Sequence, residues 1–478
     1  MHGLIGGAER GSNVVLGLTA WHGSWYSMRM SRPISLLVAL LALELSAAEK
    51  WGLGEKMGLP EWVSLDGQYR ARYETLDGQF RTGRTGGDQL FSSRLSLKAR
   101  VGGEAFGVLG EMLDSRQALA DAGTPLNAGH VNALELLQGY AELNHAGKRW
   151  RFGRQTMDLG GRRSVARNRF RNTINSFNGL EFSRTTDSGG RLRAFYGLPV
   201  VRLPGDAGSL LANESRLDRE SFDLQFASLF IGMPKLPMNS SGEVYLFGLY
   251  EEDSPQRASR NRRLLTPGLR WFRAPGVGVF DFELEGAFQF GRSRATTASA
   301  DTIDLDHLAH MEHVAAGYTF DAPWKPRVAG QFDYVSGDGN PADGDNGRFD
   351  GLFGGNRFEH GPTGIFGEFG RVNMVSPGWR LVLKPARGWN VMFAHRGYWL
   401  ASSSDGQGRS GLVDPGGGSG SYVGQQVEAR LRWDVLPGNW RLETGFAHVF
   451  NGDYMRRAPG GTGQGDTNYG YLQTMLWF

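Results

Sequence analysis

From residue 63 onward the chain alternates at two levels, and few folds tolerate both. Within segments, apolar and polar residues alternate with the two-residue period of a strand. Val63, Leu65, Gly67, Tyr69, Ala71 and Tyr73 make one face, while Ser64, Asp66, Gln68, Arg70, Arg72 and Glu74 make the other. Phe91, Ser93, Leu95, Leu97, Ala99 and Val101 oppose Ser92, Arg94, Ser96, Lys98 and Arg100. Phe280, Phe282, Leu284, Gly286, Phe288 and Phe290 oppose Asp281, Glu283, Glu285, Ala287 and Gln289. Val427, Ala429, Leu431, Trp433 and Val435 oppose Gln426, Glu428, Arg430, Arg432 and Asp434. This pattern predicts strands at 63–76, 91–101, 106–116, 134–145, 149–156, 177–184, 191–200, 222–231, 243–250, 263–274, 280–291, 304–320, 326–335, 367–384, 389–401, 424–436, 439–450 and 468–478.

The links between these eighteen segments alternate as well. Even-numbered links are short and turn-like, as at Gly102-Gly103-Glu104-Ala105, Ala274-Pro275-Gly276 and Leu436-Pro437-Gly438. Odd-numbered links are long and rich in Gly, Asp, Asn and Ser, the longest running from about Ser336 to Gly364. Short turns at one end, long loops at the other and an even strand count predict an all-β fold: a transmembrane antiparallel up-and-down barrel with short periplasmic turns and long extracellular loops.

The physics of the two faces points the same way. A soluble barrel would need its apolar face inward and its charges outward, which leaves so many paired polar faces around a side-chain-filled interior without an explanation. In lipid the apolar face meets hydrocarbon, the charged face lines water, and closure satisfies every backbone hydrogen bond without an edge. Eighteen strands leave room for an aqueous channel. Glycine, 71 of 478 residues, suits a chain with this many turns, and the absence of cysteine excludes a disulfide scaffold. No apolar run after residue 48 is long enough for a membrane helix.

The N-terminal region reads as an address. A basic stretch from Met28 to Pro33 precedes an apolar run from Ile34 to Leu45 and a small-residue Ser46-Ala47-Ala48. Residues 28–48 are therefore expected to be a signal peptide and 1–27 an extension from a misassigned start. Residues 49–62 are expected to be a periplasmic segment ahead of a barrel over 63–478. At the other end, Tyr471, Gln473, Met475 and Trp477 alternate with Leu472, Thr474, Leu476 and Phe478. A last amphipathic strand finishing on an aromatic residue is similar to the assembly signal of bacterial outer-membrane barrels, which makes the barrel assembly machinery an expected partner through Phe478. The expected location is the outer membrane of a Gram-negative bacterium, in contact with its lipid.

Charge indicates the cargo. Of 52 basic residues 45 are arginine, the side chain suited to bidentate contact with carboxylate or phosphate. Strand phase puts Arg70, Arg72, Arg94, Lys98, Arg100, Arg270, Arg380, Arg396, Arg430 and Arg432 in the lumen, mixed with the acids Glu74, Glu283, Glu285, Glu428 and Asp434. Between Lys148 and Arg171, nine basic residues face Asp158 alone. Basic rings favour anions in a pore, so an anion-conducting channel is expected. Individual arginines could equally pair with lumen acids and hold the barrel's shape.

Three motifs carry a family resemblance: Phe152-Gly153-Arg154-Gln155-Thr156-Met157-Asp158-Leu159-Gly160-Gly161-Arg162, Asn175-Ser176-Phe177-Asn178-Gly179, and Ser336 to Gly344 followed by Phe349-Asp350-Gly351-Leu352-Phe353. Over residues 61–478 the chain resembles the alginate-export family of outer-membrane barrels. The resemblance implies an 18-stranded barrel whose arginine-lined pore passes a polyuronate by passive diffusion, with long loops folding over the lumen as gates and possible periplasmic export partners. It implies a pore role for Arg154 and a place in the gating loop for Asp338, Asn340 and Asp343.

Other motifs carry less. His307, His310 and His313 are spaced by three, which in a strand alternates faces, so neither a metal site nor any other cofactor is expected. A secreted barrel does not meet nucleic acid, whatever its basic cluster suggests. A general or small-anion porin remains an alternative to polysaccharide passage. An outer-membrane barrel enzyme is a third reading, which would need a nucleophile and base within reach of each other.

Overall fold

The computed structural model describes residues 51–255, 257–461 and 465–478. The expected signal peptide and upstream extension lie outside the described residues. Alternation of exposed apolar and sheltered polar side chains drives eighteen long strands: β1 (Val63–Asp77), β2 (Asp88–Gly102), β3 (Phe106–Ala118), β4 (Asn132–His145), β5 (Lys148–Gln155), β6 (Phe177–Thr185), β7 (Arg191–Pro199), β8 (Leu224–Leu236), β9 (Ser240–Glu251), β10 (Arg263–Arg273), β11 (Phe280–Ser293), β12 (Leu305–Thr319), β13 (Arg327–Val335), β14 (Met374–Leu383), β15 (Trp389–Trp399), β16 (Tyr422–Leu436), β17 (Trp440–Asn451) and β18 (Thr467–Trp477). Each pairs antiparallel with its sequence neighbour. A two-residue strand, Asp345–Asn346, adds parallel to Asp306 and His307.

The ring closes through β1 and β18, in register from Gln68 opposite Trp477 to Asp77 opposite Asn468. Phe478 extends the seam: the Gly67 amide donates to its carbonyl oxygen at 2.6 Å, and its own amide donates back to the Gly67 oxygen at 3.0 Å. The Phe478 ring lies where a Gly67 side chain would project and stacks on Trp51 at 6.5 Å. Closure leaves no edge to hydrogen-bond in hydrocarbon, and the outward faces present large apolar residues such as Leu97, Phe152, Leu269 and Phe288.

Two local readings change. The expected strand 367–384 begins only at Met374. Gly367 takes φ +51°, and Phe369 lies flat on Tyr398 with ring centres 3.5 Å apart, so 367–373 belongs to the loop. The link between β8 and β9 is also shorter than the sequence suggests. Both strands run on to a turn at Pro237–Asn239, where Met238 and Asn239 adopt φ +64° and +53°.

The inner face is not polar along its whole height. Near the long-loop end Leu76, Leu90, Phe177, Phe226 and Phe247 are buried, packed with Phe80, Phe349, Ile365, Phe366, Leu412 and Tyr454 from the loops. The loops thus carry a hydrophobic core of their own inside the extracellular half of the barrel. Pure alternation misses this because the occupant of those inward apolar positions is protein brought from distant segments.

Candidate functional site

The loop from 156 to 176 descends into the barrel and is held by arginines of the wall. The Arg70 guanidinium donates to the carbonyls of Arg169 and Phe170, both at 3.0 Å, to that of Arg171 at 3.1 Å and to Asn172 Oδ1 at 2.8 Å. Arg72 donates to the Phe170 carbonyl at 2.5 Å and lies 3.8 Å over its ring. Arg94 reaches the Arg169 and Arg171 carbonyls at 3.2 Å. Three successive peptide carbonyls and the side chain of the residue that follows them are gripped by side chains from two adjacent strands. These three arginines, expected to contact solute, spend most of their donors on the loop.

Below that loop lies a cavity of about 940 Å³. Its wall runs from Asp66, Arg327, Arg441 and Trp477 near the short-turn end up to Thr156, Arg162, Arg169, Phe170, Arg357, Phe358 and Thr363 of the loops. The lining holds fourteen basic side chains against three acids, Asp66, Glu111 and Glu443. Many of the basic groups are neutralised locally. Lys98 pairs with Asp66 at 3.3 Å, Arg151 with Glu142 at 3.2 Å, and Arg432 with Glu443 at 2.7 Å; Arg100, expected in the pore, lies outside the lining and shares Glu142 at 3.1 Å. Arg357 pairs with Glu428 at 2.8 Å and Arg441 with Asp434 at 2.5 Å.

Arg70, Arg94, Arg162, Arg380 and Arg430 line the cavity without an ion pair among the described residues. Arg380 donates to the Phe358 carbonyl at 2.6 Å, Arg430 to Asn390 Oδ1 at 3.1 Å, and Arg162 sits 3.7 Å over the Phe358 ring. Neutral acceptors leave their charge uncompensated, and a low-dielectric wall carries that field into the cavity.

Several expected lumen residues do not reach the cavity. Arg270 is clamped between Glu243 at 2.9 Å and Glu283 at 2.8 Å. Arg396, 2 % exposed, pairs with Asp333 at 2.5 Å. Glu74 is sealed against the Tyr469 hydroxyl, which donates to it at 2.6 Å. Glu285 is buried on Arg163. Arg154 needs a correction of face: it is in phase with the exposed Phe152, and its fork is taken by Glu135 at 2.6 Å and Glu220 at 3.0 Å. It is a rim clamp, and Arg151 of the same strand lines the cavity.

Asp338, Asn340 and Asp343 also move. They form the tip of the long loop, where Asp338 and Asn340 cap backbone amides two residues on at 3.3 Å and Asp343 does so at 2.9 Å. The part of that loop that roofs the cavity is the one-turn helix Arg357–His360 and its neighbour Thr363. The sequence gives no periodic signal for it, since a single turn inside a 38-residue link has none.

One buried network binds the two lumen loops to the wall. Arg163 of the 156–176 loop donates to Glu283 at 2.6 Å and to Glu285 at 2.5 Å, both on β11, and to Glu359 of the long loop at 2.9 Å. Arg371 holds the other Glu359 oxygen at 2.9 Å. Two guanidiniums on one carboxyl keep Glu359 down at about 2 despite its burial.

The shared motif glycine has a plain structural role. Gly153 takes φ +125° within β5, and a Cβ there would meet the Gly139 carbonyl and sit 3.0 Å from the Tyr140 Cα. Gly153→Ala is expected to destabilise the barrel by about 2 kcal/mol. Urea unfolding of the refolded protein in lipid vesicles checks this, and an unchanged midpoint would remove the assignment.

Comparisons with known proteins agree with this architecture. The chain resembles solved Pseudomonas aeruginosa outer-membrane proteins at low identity. OpdK solved with vanillate shares 12% identity over 87% of this chain and 98% of that one, with a TM-score of 0.58. OccK11 (OpdR) shares 12% over 87% and 96%, with a TM-score of 0.55, and OccK8 (OprE) 12% over 87% and 98%, at 0.56. At such identity the likeness shows the fold. No curated protein matches the sequence. The alginate export family profile matches residues 61–467, most of the barrel. An eighteen-stranded closed barrel with loops folded into its lumen, matched by that profile over nearly its whole length, belongs to the alginate export family and is an outer-membrane channel.

Proposed function

We propose that this channel passes carboxylate-bearing solutes, an acidic polysaccharide of the polyuronate type or its oligomers, by passive diffusion. The observation that supports this best is the cavity lining, where fourteen basic groups meet three acids and five guanidiniums lack an ion pair among the described residues. A carboxylate entering the cavity exchanges water for Arg380, Arg430 and Arg162, while the paired groups around them keep any one site from becoming a trap. Binding weak enough to leave and strong enough to enter is what conduction requires.

A second reading, a channel for small organic anions, draws on the loop core that fills the extracellular half of the lumen. It also draws on OpdK, whose solved complex holds vanillate, a small aromatic carboxylate. Planar bilayers separate these readings. Reversal potentials in a salt gradient are expected to indicate anion preference, and Arg380→Glu with Arg430→Glu to lower the anion-to-cation ratio at least about threefold. Cation preference in the unmodified channel would sink both readings. Current block by galacturonate oligomers but not by benzoate favours the first; the reverse favours the second.

A further inference from the structure

The basic run that begins at Lys148 does not all face the pore. Lys148 opens β5 two residues before Trp150 and four before the exposed Phe152, so it shares their outward face. The two-residue turn Ala146-Gly147, with φ +47° and +71°, sets His145 of β4 directly opposite Lys148. On the other side Arg184 of β6 is directly opposite Lys148 as well. Two cations and a histidine thus stand side by side across three strands at the short-turn rim, all exposed. Two residues further along each strand, toward the membrane centre, the same face carries Leu143, Trp150 and Phe182, with the Trp150 and Phe182 rings 5.4 Å apart. The row after that is Ala141, Phe152 and Leu180.

The protein does not answer this charge. Neither Lys148 nor Arg184 makes a side-chain hydrogen bond or ion pair among the described residues. The acids at this end of the same strands are spent on the inward face: Glu181 takes Arg193 at 2.5 Å and Arg149 at 3.5 Å, and Glu142 takes Arg151 at 3.2 Å. Glu104 and Asp187 sit exposed in neighbouring turns, with no ion pair to either cation. Like charges directly opposite on one face of a sheet have their Cβ atoms about 5 Å apart and destabilise the pairing, unless an anion sits between them. The Trp150 indole N–H is also unused among the described residues, whereas those of Trp271 and Trp440 donate to Ser240 and Thr474 at 2.7 and 2.9 Å. On the adjoining strands the outward rim presents Val101 and Phe106 instead.

We propose that Lys148 and Arg184, with His145 beside them and Trp150 beneath, form a headgroup site on the outer wall of the barrel for one anionic glycerophospholipid of the periplasmic leaflet. A cationic row, an aromatic row and an apolar row follow one another in the order of the phosphate, the ester region and the acyl chains of such a lipid. Lys148 and Arg184 flank the phosphate, their stems lying along the apolar wall. The Trp150 N–H donates to a lipid oxygen, and the chains run over Phe152 and Leu180. The site faces lipid and not the pore, so it is independent of the solute that the channel passes.

Native mass spectrometry of the full-length folded barrel, titrated in detergent with dioleoyl phosphatidylglycerol and separately with dioleoyl phosphatidylcholine, tests the site. One phosphatidylglycerol is expected to bind in preference to phosphatidylcholine. Lys148→Gln or Arg184→Gln is expected to weaken it about fivefold and the two together about thirtyfold, with phosphatidylcholine unchanged. Both side chains are exposed and hold no other part of the chain, so the barrel is expected to stay folded, which heat-modifiable migration verifies. Arg456→Gln with Arg457→Gln removes the same charge from an exposed loop and is expected to leave the preference intact. In vesicles, brominated phosphatidylglycerol is expected to quench tryptophan fluorescence more than brominated phosphatidylcholine, and that excess to fall in Trp150→Phe. Equal affinity for the two lipids, a preference that survives the double variant, or one that falls as far in the loop pair overturns the site. A periplasmic protein crosslinked to Lys148 in cells, with the lipid preference unmoved by the double variant, would make the row a protein contact and overturn the lipid assignment.

Discussion

Replacing Arg163 by methionine is expected to free the lumen loops and raise single-channel conductance several-fold while the barrel stays closed. Arg163 is the one cation shared by Glu283, Glu285 and Glu359. Its loss leaves Arg270 on Glu283 at 2.8 Å and Arg371 on Glu359, but Glu285 keeps only the Tyr245 hydroxyl, which donates at 2.9 Å, and a stretched 3.8 Å contact with the same Arg270. Fully stranding a buried carboxylate costs about 3–5 kcal/mol, and the shared Arg270 offsets only part of that at 3.8 Å, which leaves a penalty that a loop anchored at its two ends is expected to yield to. The strand ladder is untouched, so the penalty is expected to be relieved by loop movement. Conductance in planar bilayers and tryptic cleavage within 336–373 read this directly, with heat-modifiable migration reporting the barrel. Adding Glu285→Gln to the variant should restore part of the closed state. Unchanged conductance and protection in Arg163→Met would show that the network does not hold the loops.

The second large effect is a pH response of the same loop. Glu368 is fully buried, and both its carboxyl oxygens lack a partner. Burial raises it from 4.5 to about 8, opposed only by the charge of Arg81, whose guanidinium is occupied with the Ile365 and Phe366 carbonyls. The released loop would ionise near 4.5, so between about 4.5 and 8 the packed loop holds a proton that the released loop has lost. Loop packing is thus most stable below pH 4.5 and loses up to about 1.4 kcal/mol for each pH unit above it until the proton leaves near 8. The tryptic rate in the loop and the open-channel fraction are expected to climb from pH 6 to pH 9 and to stay nearly flat in Glu368→Gln. An equal rise in the variant would assign the response to another group.

How much of this was legible depends on the range of the interaction. The charged face of β16, with Glu428, Arg430 and Arg432, could be assigned inward from period alone, because a strand's two faces are fixed by backbone geometry. Arg154 could not. It sits in the most recognisable motif of the chain, yet its phase in β5 and its clamp on Glu135 and Glu220 depend on a loop more than sixty residues away. Arg163 and Glu359 look in sequence like two charges in long links, and their meeting is a matter of how those links fold back. The Arg70 and Arg94 anchors were readable as inward-pointing arginines. That they hold peptide carbonyls and not solute was not, since a carbonyl is present at every residue and leaves no trace in composition.

By itself the sequence determined the barrel: eighteen strands, their faces, the short and long ends and a basic interior. All of these follow from local periodicity and from the demand that hydrocarbon places on every backbone group. Only the tertiary structure decided which charges remain free. Ion pairing depends on distances of a few ångströms between residues far apart in the chain, and it spends Arg270, Arg396 and Arg154 on shape while leaving Arg162, Arg380 and Arg430 to face the cavity.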